Sequence, residues 1–444
     1  MSILFKVYSK APLYFQNLMC SLKGWIIYKR RYNSKFKNEL SRYLMNDSSV
    51  KEFQKFLLES SSVKAYKGIL SDCDIKGLTN GTVNIDDLLQ KFPIINKQIV
   101  KADIESYINK KYLSKCFLIH TSGTTGSGIS FPYTYDMENK QWAIWWRYRI
   151  RLGLNMNMWC GWFGGRIIMS NEIKTPPFWR INYPCKQVMY SSYHLSKDSV
   201  SLYVEDILKR NIEWLHGYPS SITRFANLIN ELGISPLSNV KYITTGAENL
   251  YESQRTIMKK AFPKAIVRQH YGLTEGVANI SQDYSGEWYI DDDFCHVEFI
   301  PLDPSNPSIC RIIGTGYSNL AFPLIRYDTG DIAEVYFQDG KCKVKSIDGR
   351  KEDYITLPNG TKLGRLDHIF KDCLNINEAQ IHQISEKYII FNIVKGSIYS
   401  KNDERLLLKN IRERIPQEVK IDITYLDKIP RTHSGKLRLV ISNI

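Results

Sequence analysis

Residues Thr121-Ser122-Gly123-Thr124-Thr125-Gly126-Ser127-Gly128 place three glycines and five hydroxyl side chains in eight consecutive positions. Glycine permits positive φ and lets a ligand approach the backbone closely. Hydroxyls and free backbone N–H groups donate to phosphate oxygens. The apolar run Cys116-Phe117-Leu118-Ile119 leads into the segment, and Tyr133-Thr134 follows it. An ordinary polar turn has a similar composition. No Gly-Lys-Ser/Thr closes the run, which argues against a Walker-type loop. A lysine for the phosphates therefore has to come from elsewhere in the chain.

Five later segments bear on that chemistry. They are Thr244-Thr245-Gly246-Ala247-Glu248, Tyr271-Gly272-Leu273-Thr274-Glu275, Arg326-Tyr327-Asp328-Thr329-Gly330-Asp331, Asp348-Gly349-Arg350-Lys351-Glu352-Asp353 and Pro430-Arg431-Thr432-His433-Ser434-Gly435-Lys436. In this order, from about Leu89 to Arg438, the chain resembles the adenylate-forming superfamily of acyl-CoA synthetases, luciferases and peptide-synthetase adenylation domains. His216-Gly217-Tyr218-Pro219, Ala321-Phe322-Pro323-Leu324 and Gly364-Arg365-Leu366-Asp367 resemble the phenylacetate–CoA ligase-like branch, and within it the capsular polysaccharide biosynthesis proteins.

The resemblance implies an ATP- and Mg2+-dependent AMP-forming ligase. Ser122, Gly123, Thr124, Thr125 and Gly126 would hold the β- and γ-phosphates. Gly246, Ala247 and Glu248 would line one face of adenine, with Tyr271 and Gly272 beside the ring. Thr274 would bond the α-phosphate, and Glu275 would ligate the metal, since a hard cation takes oxygen ligands. Asp331 would accept both ribose hydroxyls. Arg350 would reach the nucleotide beside a hinge at Glu352. Lys436 would bridge the substrate carboxylate and the α-phosphate as a cation on a long stem. Most of the superfamily has a lysine shortly after the second glycine of the phosphate loop; Ile129 stands there in this chain, and the phenylacetate branch shares that departure.

Tyr133, His216 and Tyr218 fall where an acyl pocket is expected. Aromatic walls suit an aryl or small acyl acid, but equally a packed core. The acceptor left open by the resemblance is coenzyme A, or an amine on a sugar or carrier. Two other classes compete with the ligase: a catalytically inactive nucleotide-binding scaffold of the same fold, and a basic membrane-surface or nucleic-acid-binding protein. The presence of Thr274, Glu275, Asp331, Arg350 and Lys436 weighs against the scaffold.

The elements that must position these residues read as α/β and α+β. Between Met158 and Leu250, apolar runs at Ile167–Met169, Gln187–Tyr190, Trp214–His216 and Tyr242–Thr244 alternate with helical patterns at Val200–Lys209 and Ser221–Glu231, which predicts parallel strands. From Ile280 to Lys345 the pattern is richer in strand and predicts an antiparallel or barrel-like segment closing a large domain. Trp142, Trp145, Trp146 and Ile150 recur at helical spacing and read as core. The expected organisation is a helical N-terminal region at 1–88, a large domain of mixed sheets flanked by helices at 89–348, a hinge at 349–353 and a small mobile α+β domain at 354–444.

Within residues 1–60, apolar residues such as Phe15, Leu18, Leu22, Trp25 and Ile26 interleave with lysines and arginines. An amphipathic helix leaning on anionic lipid and a helix packed on the main domain with a solvated basic face both fit. The packed helix is the expected one of the two.

The 444 residues carry a formal net charge of +15, which favours anionic partners. The lysines are spread along the chain and no zinc-finger or RNA-recognition spacing occurs, which argues against nucleic acid. No uncharged apolar run reaches the length of a membrane span, and Lys6 and Lys10 interrupt the first apolar segment, against a signal peptide. Nine scattered cysteines without a C-x-x-C pair predict reduced thiols in a cytoplasmic protein, with a peripheral place at the inner membrane face as the alternative. Cys295, His296, Cys310 and Cys342 lack paired ligand spacing, which argues against structural zinc.

Overall fold

Short apolar runs separated by helices pair in parallel, because a helical crossover returns the chain to the same end of the sheet. In the computed structural model, Cys160–Phe163 lies between Gln187–Tyr190 and Trp214–Gly217, parallel to both, and Tyr242–Gly246 adds in parallel to Trp214–Gly217. Trp179–Asn182 pairs antiparallel with Gln187–Tyr190 and ends the order. The structure describes residues 8–46, 50–121, 129–164, 168–170, 173–350, 355–358, 362–363, 366–370, 373, 375–431 and 437–444. The chain divides into two compact units, one of Met1–Trp25, Met156–Gln269 and Gly349–Ile444, the other of Ile26–Asn155 and His270–Asp348.

In the first unit, helices Val200–Lys209 and Pro219–Glu231 cover the parallel strands. Val200, Tyr203 and Ile207, three and four residues apart, meet Phe163, Val188, Leu215, Phe225 and Ile243 in one buried cluster. Phe163 stacks on Tyr190 and on Phe225, each at 5.0 Å between ring centres. Each such side chain contributes about 1.5–3 kcal/mol by leaving water. Gly217 ends its strand where a Cβ would lie 2.1 Å from the Phe163 carbonyl oxygen, so the backbones cross there only with glycine.

The same unit holds a small α+β domain. Ile376–Ser385 and Tyr388–Lys395 form an antiparallel hairpin, Lys420–Tyr425 runs parallel to the second strand and Val440–Ser442 parallel to the first. Helix Lys401–Arg412 seats Leu407 and Ile411 on Ile381, Phe391 and Ile393.

In the second unit, four antiparallel strands follow in the order Cys295–Asp303, Asn306–Gly316, Leu324–Gln338, Lys341–Arg350. Cys116–His120 and Ser130–Thr134 form a hairpin whose register runs from Cys116↔Thr134 to His120↔Ser130. Helix Tyr135–Arg151 is buried on most sides: Glu138, Lys140, Gln141, Arg147 and Arg149 are buried as well as Ile144 and Trp146. Burial of charge requires partners. Arg147 supplies the clearest case, with Nη2 2.6 Å from Asp291, paired contacts to Asp293 and a 3.1 Å bond to the Tyr43 carbonyl.

Two expectations are corrected. Ile168 and Met169, the described part of the run expected as a strand at Ile167–Met169, lie outside any strand. Helix Leu13–Arg31 does pack on the protein, but Tyr14, Phe15, Leu18, Leu22 and Trp25 face solvent rather than its basic side chains alone.

Candidate functional site

The phosphate-loop candidates Ser122, Gly123, Thr124, Thr125 and Gly126 lie outside the described residues, as do Glu352 and Lys436; of Arg350 the backbone in its strand is described. The stem of the loop is well defined. Thr121 donates its N–H to the Ile129 carbonyl, and the Ile129 N–H donates to Thr121 Oγ1, both at 2.9 Å. These two bonds continue the Cys116–His120/Ser130–Thr134 pairing by one residue pair, Thr121 with Ile129.

In the second unit, two candidates separated by 60 positions meet: the Tyr271 hydroxyl donates to Asp331 Oδ2 at 2.7 Å. Tyr271 belongs to strand Ile266–Gly272, which pairs antiparallel with Asn279–Gln282. Asp331 is held by the irregularity before it in strand Leu324–Gln338. Gly330 takes φ +76°, its N–H donates to Asp328, and the Asp331 N–H donates to Thr329 Oγ1 at 3.1 Å. Thr329 is buried and donates to the Ile312 carbonyl, and Asp328 pairs with Arg311 at 3.0 Å. The carboxylate thus stands on a rigid base beside an aromatic ring.

Thr274 and Glu275, both partly exposed, sit on the next turn, which the Gly276 N–H closes on the Leu273 carbonyl at 3.0 Å. Gly276 has φ +67°, which favours glycine at this turn, and Met137 Cε fills the space beside it. Gln141 ties this turn to helix Tyr135–Arg151: its Nε2 donates to the Leu273 carbonyl at 3.2 Å while its Oε1 accepts from the Tyr133 hydroxyl. Tyr133 is buried, and burial holds its phenol protonated well above the ordinary range. Its hydroxyl is committed to Gln141 and its ring to Phe117.

Behind the Tyr271 strand, Trp145 donates to Asn279, Asn279 donates to Asp291, and Asp291 pairs with Arg147. Burial pushes the Asp291 carboxyl up, against the pull of the guanidinium. For Arg147, burial alone would lower the pKa, but Asp291 and Asp293 outweigh it and keep the side chain charged.

In the first unit, strand Tyr242–Gly246 delivers Gly246, Ala247 and Glu248. Ala247 has φ +67°, a left-handed conformation that costs a residue with a Cβ about 1–2 kcal/mol. Beyond that bend, the Glu248 carboxylate accepts two backbone donors. Ser220 N–H, at the start of helix Pro219–Glu231, lies 3.1 Å from one oxygen, where a negative charge also suits the helix dipole. Leu437 N–H, 189 positions along the chain, lies 2.9 Å from the other. The segment directly following Lys436 is thereby fixed to the Thr244–Glu248 motif.

The described residues on either side of 432–436 are tied to the small domain. Glu378, buried, accepts from Arg431 at 2.7 Å and from the Ile429 N–H at 3.2 Å. Gln380 donates to the Arg438 carbonyl, and the Ile381 N–H to the Leu439 carbonyl at 2.7 Å.

His216 is oriented by Thr244, whose Oγ1 and carbonyl oxygen lie 2.9 and 3.0 Å from Nδ1. Tyr218, partly exposed, is the N-cap of helix Pro219–Glu231. Gln141, Glu378 and Gln380 were not candidates from sequence: each is a buried amide or acid whose role is set by a partner far along the chain.

Oxygen donors at Thr274 and Glu275 suit a magnesium ion shared with phosphates. Among the described residues no group of three or more His, Cys, Asp and Glu stands ready to hold a metal. Cys295 and His296 are neighbours in a strand and point to opposite faces. Cys295 Sγ accepts from the Asn279 N–H at 3.1 Å.

Residues 356–443 match the model of the CapK C-terminal domain family. Over its full length the chain is similar to Protein CapK of Staphylococcus aureus, at 27% identity with 99% of each chain covered. Among solved structures it is similar to 2-hydroxyisobutyryl-CoA ligase in its postadenylation state with 2-HIB-AMP, with a TM-score of 0.64, 13% identity, and 89% and 88% of the two chains covered. It is also similar to the anthranilate CoA ligase AuaEII in complex with anthranoyl-AMP, with a TM-score of 0.51, 13% identity, and 72% and 65% covered. The chain has the fold of the adenylate-forming ligases, with mixed sheets, helices and a small C-terminal domain, and the resemblance read from its motifs is borne out.

Proposed function

We propose that the chain activates a small carboxylic acid with ATP and then transfers the acyl group to coenzyme A or to a sugar amine in surface polysaccharide assembly. In the first step a carboxylate oxygen bonds to the α-phosphorus and pyrophosphate leaves with its electron pair. In the second a thiol or amine attacks the acyl carbon and AMP departs. The first step brings two anions together, so it needs placed donors and cations more than covalent chemistry.

The loop at Ser122–Gly126 would cradle the β- and γ-phosphates, Asp331 would take the ribose hydroxyls, and Tyr271 would pack on adenine. Thr274 would bond the α-phosphate. Magnesium, held by Glu275, would neutralise phosphate charge. Arg350 would contact the nucleotide, and Lys436 would bridge the two reacting anions. His216, Tyr218 and Tyr133 remain the candidates for contact with the acid. Between half-reactions the small domain would turn about Glu352 and withdraw Lys436. The protein would work in the cytoplasm.

The observation that carries this reading is the Leu437–Glu248 hydrogen bond, because it brings the residue after Lys436 to the motif assigned to adenine. The solved relatives' names, CoA ligases with acid–AMP compounds, support the same class. The test is ATP–pyrophosphate exchange over a panel of carboxylic acids, followed by acceptor trials with coenzyme A and amino sugars. Acid-dependent exchange is expected; absence of exchange with every acid, in protein that binds ATP, would favour the inactive scaffold.

A further inference from the structure

Helix Leu13–Arg31 is mounted with its polar side inward. Its buried residues are Gln16 and Gly24. Gln16 Oε1 accepts from Arg180 Nε at 2.6 Å, and its Nε2 donates to the Ala11 carbonyl at 2.7 Å. Asn17 accepts from the Ile181 N–H at 3.0 Å, and Ser21 donates to the Ile181 carbonyl at 3.3 Å. A Cβ on Gly24 would lie 2.0 Å from Asn182 Oδ1. The helix thus satisfies strand Trp179–Asn182, which ends the sheet order, through polar groups, a usual way to cover an exposed strand.

The outward side carries the large apolar residues. Tyr14 is 69% exposed, Phe15 49%, Leu18 41%, Leu22 56% and Trp25 49%. At helical periodicity these positions fall within roughly a third of the circumference, facing away from Gln16 and Gly24. A helix on a globular domain ordinarily buries such a stripe. Five large apolar side chains, each 41–69% exposed, on a face secured from behind by hydrogen bonds mark a docking surface.

Charge selects the occupant. The first acidic residue of the chain is Glu39, and eight lysines and arginines precede it; Arg30 and Arg31 pair with Glu138 and Lys35 with Asp136, which leaves the excess charge on the lysines. Lys10, just ahead of the helix, and Lys23, on it, are both exposed. Two copies meeting through this face would set like charges against each other. An anionic bilayer surface satisfies both properties: apolar side chains enter the headgroup boundary, tyrosine and tryptophan suit that depth, and lysines meet lipid phosphates. Among the described residues no helix is long and apolar enough to cross a membrane, so the stripe would lie in the plane. We propose that the Tyr14–Trp25 face of helix Leu13–Arg31 docks on an anionic lipid surface. Such docking would stand whether or not the chain activates an acid.

The test is flotation of the full chain with vesicles of phosphatidylcholine alone and of phosphatidylcholine mixed with phosphatidylglycerol. Binding is expected only with the anionic lipid, and is expected to fall steeply with salt. The double variant Leu18→Ser/Leu22→Ser should lower partitioning by more than about tenfold, because two inserting side chains are lost. Its melting temperature should fall by no more than a few degrees, since Leu18 and Leu22 are only about half buried. Lys10→Glu/Lys23→Glu should weaken binding by about fivefold or more per residue while leaving the stripe intact. Failure to bind anionic vesicles would overturn the proposal. So would equal, salt-insensitive binding to both lipids, or light scattering showing a dimer that the serine variant dissolves while vesicle binding persists.

Discussion

Replacing Glu248 with Gln should impair the first half-reaction and spare the second. The carboxylate accepts from Ser220 N–H and Leu437 N–H through different oxygens. An amide keeps one acceptor and turns the other into a donor, so one backbone N–H loses its partner. The helix start at Ser220 is present whatever the tail does, so the remaining oxygen should stay there and Leu437 should be released. A hydrogen bond to a charged group is worth about 1.5–3 kcal/mol. Both Glu248 and Leu437 are partly exposed, which places this one at the lower end. The expected cost is therefore about tenfold in acid-dependent ATP–pyrophosphate exchange. Transfer from a supplied acyl-adenylate, from which the proposed function withdraws Lys436, should change by less than about twofold, within the scatter of a neutral substitution. Loss of charge at the helix start should lower the melting temperature by no more than a few degrees, about 0.3–1 kcal/mol. Equal losses in both half-reactions, or lowered stability with unchanged exchange, would refute the anchoring role of Glu248.

Lys436→Ala should abolish adenylate formation while leaving transfer from a supplied acyl-adenylate largely intact; parallel loss in stopped-flow assays of both steps would contradict the proposed withdrawal of the lysine. Tyr271→Phe keeps the ring and deletes the 2.7 Å bond to Asp331, so ATP affinity by calorimetry should fall about two- to tenfold. Asp331→Ala should weaken ATP binding further, and unchanged affinity would remove Asp331 from the ribose site. Arg147→Met leaves Asp291 and Asp293 buried without their cation, at a cost of about 3–5 kcal/mol near neutral pH. Burial already holds the Asp291 carboxyl above its ordinary value, so its folded form binds protons more readily than its unfolded form. The variant's deficit should therefore shrink as pH falls through that raised range, and a deficit that grows in urea melts on acidification would contradict the buried-pair account.

The elements that follow a simple hydrophobic period were legible in the sequence. Val200–Lys209 is a helix over the span its periodicity predicts, and Gln187–Tyr190 a strand over its apolar run. The antiparallel character of the stretch after Ile280 also follows from strand-rich segments joined by tight turns such as Gln338-Asp339-Gly340. Strands whose neighbours supply their order were not legible. Trp179–Asn182 carries Arg180 and Asn182, which are buried only because helix Leu13–Arg31 covers them. The tryptophan spacing in helix Tyr135–Arg151 marked a core but hid Gln141 and Arg147, whose burial depends on partners about 130 to 150 positions away.

For the site, residue types indicated phosphate and ribose chemistry at Thr121–Gly128 and Asp331, yet nothing local predicted that Asp331 would accept from Tyr271. Glu248 was expected along adenine; its two backbone donors came into view only with the fold, because such a contact needs the C-terminal strand Val440–Ser442 placed beside Ile376–Ser385.

A crystal structure of the chain with a non-hydrolysable acyl-adenylate tests most directly whether the glycine and hydroxyl loop and the Lys436 arm serve one nucleotide. The ribose hydroxyls should lie on Asp331, adenine against Tyr271, and the Lys436 ammonium within hydrogen-bond reach of the ester and phosphate oxygens. A nucleotide bound away from Asp331, or Leu437 still on Glu248 with Lys436 turned away from the ligand, would contradict it.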